Sequence, residues 1–275
     1  MAAEAVHPVC EPPEVPHLVL ETVHGSIDIE LLPAAAPDVV ERLVRLSQGP
    51  VFHPEIVDGD DAGAGHGYYD GLEFDRAFPH SSLTTALRPP SGSVVVPTRI
   101  DADALGLDQR RVTTGSDANR VWQFELFPYQ AGIPLDDQLH PRMRQWLARW
   151  GETKNADFLI GVSRREIDEA LGYRFTDGLD SQPNIRGAVA LEPFDRTRST
   201  PRLVILLADA PHFDGRRMVV GRVASGLEVA DAISARPLIP AKPVKNRPMV
   251  PVRIERADIH CRPPTTGGDG AKGAP

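Results

Sequence analysis

Apolar and polar residues alternate at both ends of this chain, and the middle takes no part. HLVLET (His17–Thr22) and SIDIEL (Ser26–Leu31) flank His24-Gly25 and predict an antiparallel hairpin. GLEFDRAF (Gly71–Phe78) and SVVVPTRI (Ser93–Ile100) continue the strand pattern, with Pro97 confining the second to an edge or bulge. The pattern then stops. It returns with GAVALE (Gly187–Glu192), RLVILLA (Arg202–Ala208), RMVVGRV (Arg217–Val223) and VPVRIERADIH (Val250–His260), the last with Val250, Val252, Ile254 and Arg256 on one face. Neither set can close a sheet alone without leaving an open edge, so the two are expected to pair across the middle.

The remaining segments have helical spacing. In PAAAPDVVERLVRLSQG, Pro37 suits a first turn, and Val39, Val40, Leu43, Val44 and Leu46 form an apolar stripe. Residues 101–173 carry NRVWQFELF, HPRMRQWLARW and SRREIDEALGY, the last with a capping box at Ser163 and Glu166 and a stop at Gly172. The stripe Met143, Trp146, Leu147, Trp150 is expected to pack this insertion against the sheet, with a partner-binding face as the alternative. GLEVADAISA follows, with Ser225 and Glu228 read as its capping box. The expected organisation is an N-terminal extension (1–14), one domain (15–260) interrupted by the helical insertion (101–173), and a disordered tail (263–275) too polar to bury anything.

Several function classes are disfavoured. A formal net charge of −8 argues against a nucleic-acid binder, which needs a basic face. No apolar run is long enough to span a membrane. In VDGDDAGAGHGYYDG, Asp58, Asp60 and Asp61 lack the bidentate Glu of a calcium loop, since Tyr69 stands at its twelfth position, and the glycines follow no strand. This is read as a surface loop. The nine histidines show no zinc spacing, and GxSxG is missing.

Three blocks in order resemble the cyclophilins, a family of peptidyl-prolyl cis-trans isomerases. They are LVLETVHGSIDIELLPAAAPDVVERLVRLS, YYDGLEFDRAFP, and RGAVALEPFDRTRSTPRLVILLADAPHFDGRRMVVGRVASGLEVADAI. With the final strand they cover about half the chain. The resemblance implies a mainly β fold, a closed eight-stranded antiparallel barrel with two capping helices, here carrying the helical insertion. It implies isomerisation of Xaa-Pro bonds in polypeptides, a role in protein folding, and no cofactor or metal. The pattern is read as bacterial in type. Uncatalysed rotation about the amide has a barrier of about 18–20 kcal/mol, because the C–N bond is partly double. A guanidinium donating to the proline nitrogen weakens that resonance, while an apolar pocket grips the ring.

Carried over residue by residue, the family's catalytic Arg falls on Arg76, in F-D-R where F-H-R is common. Phe74 and Phe78 flank it and are expected to line the groove. The pocket Phe and Met fall on Ser81 and Ser82, and the Gln supporting the Arg falls on Thr84. The Ala-Asn pair becomes Glu192-Pro193, the second Gln Arg202, and the pocket-floor Phe Val204. The Trp becomes His212, the adjoining Leu Phe213, and the pocket His Arg217. Losing pocket Phe groups removes about 1–2 kcal/mol of contact each. The expectation is therefore an isomerase of reduced activity. The alternative is a non-catalytic module binding a protein through its groove and insertion, with Arg76 held structurally by Glu73 or Glu192.

The family's first and last strands are neighbours, which implies that Cys10 and Cys261 approach closely enough for a disulfide. From spacing alone the two read as unrelated thiols. MAAEAVHPVCEPPEVPH lacks the basic start and apolar run of a signal peptide. Either the protein is cytoplasmic, or Met1 replaces a removed signal and the location is periplasmic or secreted.

Overall fold

The computed structural model describes residues 10–48, 67–87, 94–128, 140–240 and 245–265. Most of the Gly- and Asp-rich loop and the tail beyond Thr265 lie outside the described residues.

The strands are β1 (Val15–Thr22), β2 (Gly25–Leu31), β3 (Phe74–Phe78), β4 (Ser82–Thr85) and β5 (Val96–Pro97) before the insertion. After it come β6 (Ala188–Pro193), β7 (Arg198–Leu206), β8 (Val219–Ser225) and β9 (Ile254–Arg262). They form one curled antiparallel sheet in the order β3-β4-β7-β6-β8-β2-β1-β9, with short β5 on β7. Its two ends meet at a single bridge, Glu73–Arg253, and through bonds such as Phe74 N–H to Val252 C=O at 2.9 Å. The sheet is thus an open, curled half-barrel, with no full ladder joining β3 to β9 among the described residues. Pairing of β4 with β7 and of β2 with β8 knits the two sequence halves together.

Helix α1 (Pro37–Ser47) starts at Pro37 as its sequence demands and buries its apolar stripe. The insertion supplies α2 (Gly115–Val121), which runs into a π-helical turn at Trp122–Leu126, then α3 (Pro141–Thr153) and α4 (Arg164–Ala170). The Ser163/Glu166 capping box forms at α4. Helix α5 (Leu227–Ser234) differs from expectation. Its N-cap is Gly226 at φ 83°, and Ser225 ends β8 rather than capping. A Cβ at Gly226 would fall 2.1 Å from the Ser26 carbonyl oxygen, so the chain crosses β2 too closely there for any other residue.

One core runs through the sheet and joins residues from both sides of the insertion, including Leu18, Ile29, Phe74, Leu203 and Ile254. Leu105 and Leu107, at the insertion's start, also belong to it. The rest of the insertion has a core of its own. Trp122 stacks on Trp150 at 4.9 Å and meets Phe158 edge-on at 5.6 Å, with Met143 and Trp146 beside them. The aromatic stripe of α3 therefore packs within the insertion and not against the sheet. An edge-facing stripe reads the same in sequence whichever surface it meets.

In β9 the expected alternation breaks. Ile254 and Ala257 are buried while Arg256 is exposed, because the β1–β9 register shifts at Glu21/Thr22; before the strand begins, Val252 is buried and Val250 exposed. Pro16 lies opposite Cys261, and Cys10 is joined to Cys261 by a disulfide with Cα atoms 5.6 Å apart. The tail does not leave the fold at 263: the Thr265 N–H donates to Glu30 at 2.7 Å, a polar anchor that apolar patterning cannot show.

Candidate active site

A bulge in β3 sets the site. Phe74 lies opposite Thr85 and Arg76 opposite Thr84, so Asp75 is the extra residue between them. Phe74 and Thr85 face inward and are fully buried, while Arg76 faces out. From Arg76 a cross-strand row continues through Thr84, Val204 and Ala190 to Val219. Opposed residues share a face. This outer face is where the sequence-derived site residues gather.

Phe74 is the exception, a core residue and not a groove wall. Phe78 stays on the outer side, 42% exposed, with Ser82 and then Leu206 in its row. Ser81 is exposed and Ser82 and Thr84 are buried. Val204 lies flush in a small outer cluster with Ala188, Ala190, Leu206 and Val219, so no side chain rises there as a pocket floor. His212 and Phe213 follow in a short turn, with ring centroids 4.1 Å apart. The Arg217 guanidinium lies over the Phe213 ring, 3.9 Å from its centroid.

Charged side chains border the row. Arg76 donates through Nη1 to Glu192 at 3.0 Å, a single bond, and its side chain is 38% exposed. It is neither buried nor held bidentately. Glu73, the other expected partner, pairs instead with Arg247 and Arg253 where the sheet ends meet. Arg202 donates to the Thr85 carbonyl at 2.7 Å and pairs with Asp75. Burial pushes the Asp75 carboxyl up, against the pull of Arg202, Arg76 and Arg247. Burial pushes the Arg217 guanidinium down and nearby Arg76 adds to it, while Glu192 opposes.

Next to this row the insertion meets the rim. Glu125 after α2, Arg164 and Asp168 of α4, and Arg216 form one ion-pair network: Arg164 reaches Glu125 at 2.8 Å and Asp168 at 2.7 Å, and Arg216 Nε reaches Asp168 at 2.7 Å. Asp168 is fully buried, which pushes its carboxyl up to about 7 although Arg164 pulls it down. A pocket of about 280 Å³ opens at this junction, bounded by Arg216, Arg217, Phe213 and Pro193. The sequence reading missed it. The visible signal was the doubled Arg216-Arg217 beside a helix reading R-R-E-I-D-E.

Elsewhere, Asp101, Asp103 and Asp177 converge. Asp101, however, already accepts backbone N–H groups from Asp103, Ala104, Gly178 and Leu179, which marks a structural turn.

A sequence model described as "cyclophilin type peptidyl-prolyl cis-trans isomerase" matches residues 145–259. A curated protein of Mycosarcoma maydis named "peptidyl-prolyl cis-trans isomerase-like 3" is 31% identical over 135 residues, which is 48% of this chain and 76% of that protein. The chain belongs to the cyclophilin family. Among solved structures, this cyclophilin is similar to a cyclophilin-type isomerase of Cryptosporidium parvum crystallised in the presence of the dipeptide Ala-Pro. The identity is 12%, the TM-score 0.44, and the match covers 89% of this chain and 98% of the other. A second crystal structure of that protein gives 12% identity and a TM-score of 0.45 over 91% and 99%. In this cyclophilin the outer row holds one charged residue, Arg76, with Thr84, Val204, Ala190 and Val219, and Glu192, Arg202 and Arg217 lie at its border.

Proposed function

We propose that this chain is a peptidyl-prolyl cis-trans isomerase acting on Xaa-Pro bonds of polypeptides in protein folding, with Arg76 as its catalytic residue and efficiency below that of relatives with an apolar pocket. The observation that carries this reading is Arg76 itself, half-exposed on the outer face, with one carboxylate contact among the described residues and a guanidinium offering five N–H donors. Donation toward the proline nitrogen draws its lone pair out of the amide and lowers the rotation barrier. Phe78 and Phe213 are the apolar surfaces available to the ring, with Ser81, Ser82, Thr84, Val204, His212 and Arg217 around them.

The architecture proposed with it is one domain of 15–260, its curled sheet drawn together at Glu73–Arg253, with 101–173 as an insertion inside it. A bacterial-type protein in an oxidising compartment fits the Cys10–Cys261 bridge, since such bridges seldom persist in the cytosol.

The stacking of Arg217 on Phe213 favours a second reading, a peptide-binding module without turnover. A protease-coupled assay on a short Xaa-Pro peptide separates them. Arg76→Ala is expected to lower kcat/KM about a hundredfold, the loss typical of removing one transition-state donor. Equal rates for Arg76→Ala and the wild type would leave the binding module.

A further inference from the structure

We infer that the pocket between the insertion and the groove rim binds an acidic side chain, Glu or Asp, of a polypeptide whose proline occupies the Arg76 row. This rests on the isomerase reading only for what lies in that row. Three guanidiniums border the pocket, those of Arg164, Arg216 and Arg217, and Glu125 is the one carboxylate among its lining residues. They are not equally committed. Arg164 spends all three nitrogens on Glu125 and Asp168. Arg216 uses Nε and Nη2 in the same way, which leaves Nη1.

Arg217 is different. Among the described residues it makes no ion pair within 4.0 Å, and its buried Nε has no hydrogen-bond partner. Its guanidinium is fixed over Phe213, so the fork is already oriented. A half-buried cation with no carboxylate in direct contact is costly, and a carboxylate arriving from a ligand lowers that cost. The pocket also adjoins the groove by sequence: Pro193 in its wall follows Glu192, the residue that holds Arg76. A peptide lying along the Arg76 row therefore reaches it within a few residues.

Two of the residues lining the pocket, Glu125 and Arg164, come from the insertion. Arg164, Glu125 and Asp168 fix Arg216 from behind, so the insertion acts as a brace for the rim. Its volume of about 280 Å³ accommodates a short acidic side chain with water.

The test uses the full chain and a set of peptides with a single Pro, in which Glu steps through the three positions on each side, each paired with its Gln isostere. Affinity is read by titration calorimetry and isomerisation by exchange NMR on the same peptides. At one register the Glu peptide is expected to bind about tenfold tighter than its Gln partner, the gain of one charge-assisted hydrogen-bonded pair. That ratio is expected to fall toward one in Arg217→Gln and to persist in part in Arg217→Lys. Should Arg217→Gln fail to fold, raising salt to about 0.5 M with the wild type is expected to erode the ratio. Equal affinity of Glu and Gln peptides at every register overturns the inference, and so does failure to bind any of them. Selective binding without isomerisation upholds the pocket and removes the isomerase reading. Isomerisation without selectivity does the reverse.

Discussion

Two neighbouring cross-strand rows run over the same strands and have opposite characters. Ala77, Leu83, Ile205 and Val189 stand opposite one another on the inner face, all fully buried and apolar. One residue away, on the outer face, the row reads Arg76, Thr84, Val204 and Ala190. A single step along the strand thus separates a row fixed by packing from one fixed by what it must meet. The inner row keeps the apolar pattern that closes the core. The outer row keeps apolar Val204 and Ala190 but starts with Arg76 and Thr84, and it is bordered by Glu192, Arg202 and Arg217.

The largest expected effect tests the inner face. Phe74→Ala removes a fully buried ring from the main core and is expected to cost about 3–5 kcal/mol in urea denaturation. Phe78→Ala, four residues on and 42% exposed, is expected to cost under about 1 kcal/mol. Comparable losses at the two positions would erase the contrast between the faces. Next in size is the terminal staple. Cys10 and Cys261 are 251 residues apart in sequence, so reducing the bridge releases a long loop in the unfolded chain. A loss of about 2–4 kcal/mol is expected, read as a lower urea midpoint with dithiothreitol present. An unchanged midpoint would show that β1–β9 pairing alone holds the ends.

How much of this was legible in the sequence follows the same division. Period-two alternation located the inner-face residues, since burial on one face imposes that pattern. It could not register bulges. Phe74 was placed in the groove as a residue flanking Arg76, and a strict two-residue period would indeed put Phe74, Arg76 and Phe78 on one face. The extra residue at Asp75 turns Phe74 inward. The outer face has no period to read: Glu192 was one of two partners expected for Arg76, but choosing it over Glu73, and pairing Arg202 with Asp75 across more than a hundred residues, follows from register alone. The Arg164–Glu125–Arg216–Asp168 network lies further out of reach, because it joins the insertion to a loop after β7.

That network gives a prediction in pH. Burial holds the Asp168 carboxyl near pKa 7, above its usual 3.8, so the folded state keeps a proton that the unfolded chain releases. A raised carboxylate favours the fold fully below about pH 4, and this contribution is lost as pH rises toward 7. Wild-type stability is expected to fall by about 1–2 kcal/mol between pH 5 and 7 from this group. Asp75 is shifted in the same direction, so the diagnostic quantity is the difference between wild type and Asp168→Asn. Parallel stability curves for the two would place the titration elsewhere.

The smallest expected effect is also the one that tests the outer row most directly. Glu192 holds Arg76 by a single bond at 3.0 Å, and each substrate must compete with that bond for the guanidinium. Glu192→Gln keeps the shape and a carbonyl acceptor but removes the charge, so the hold weakens while Arg76 stays in place. The freed donor is expected to raise kcat/KM on a neutral Xaa-Pro peptide by up to about tenfold, which corresponds to about 1.4 kcal/mol. The gain should appear in kcat more than in KM, because the contact being released is one the transition state needs more than the ground state does. The substitution also removes the carboxylate that supports the charge on Arg217, so binding of acidic peptides is expected to strengthen alongside. A drop in kcat/KM would mean that Glu192 aims Arg76 rather than restraining it. Glu192 would then be part of the catalytic machinery rather than a brake on it.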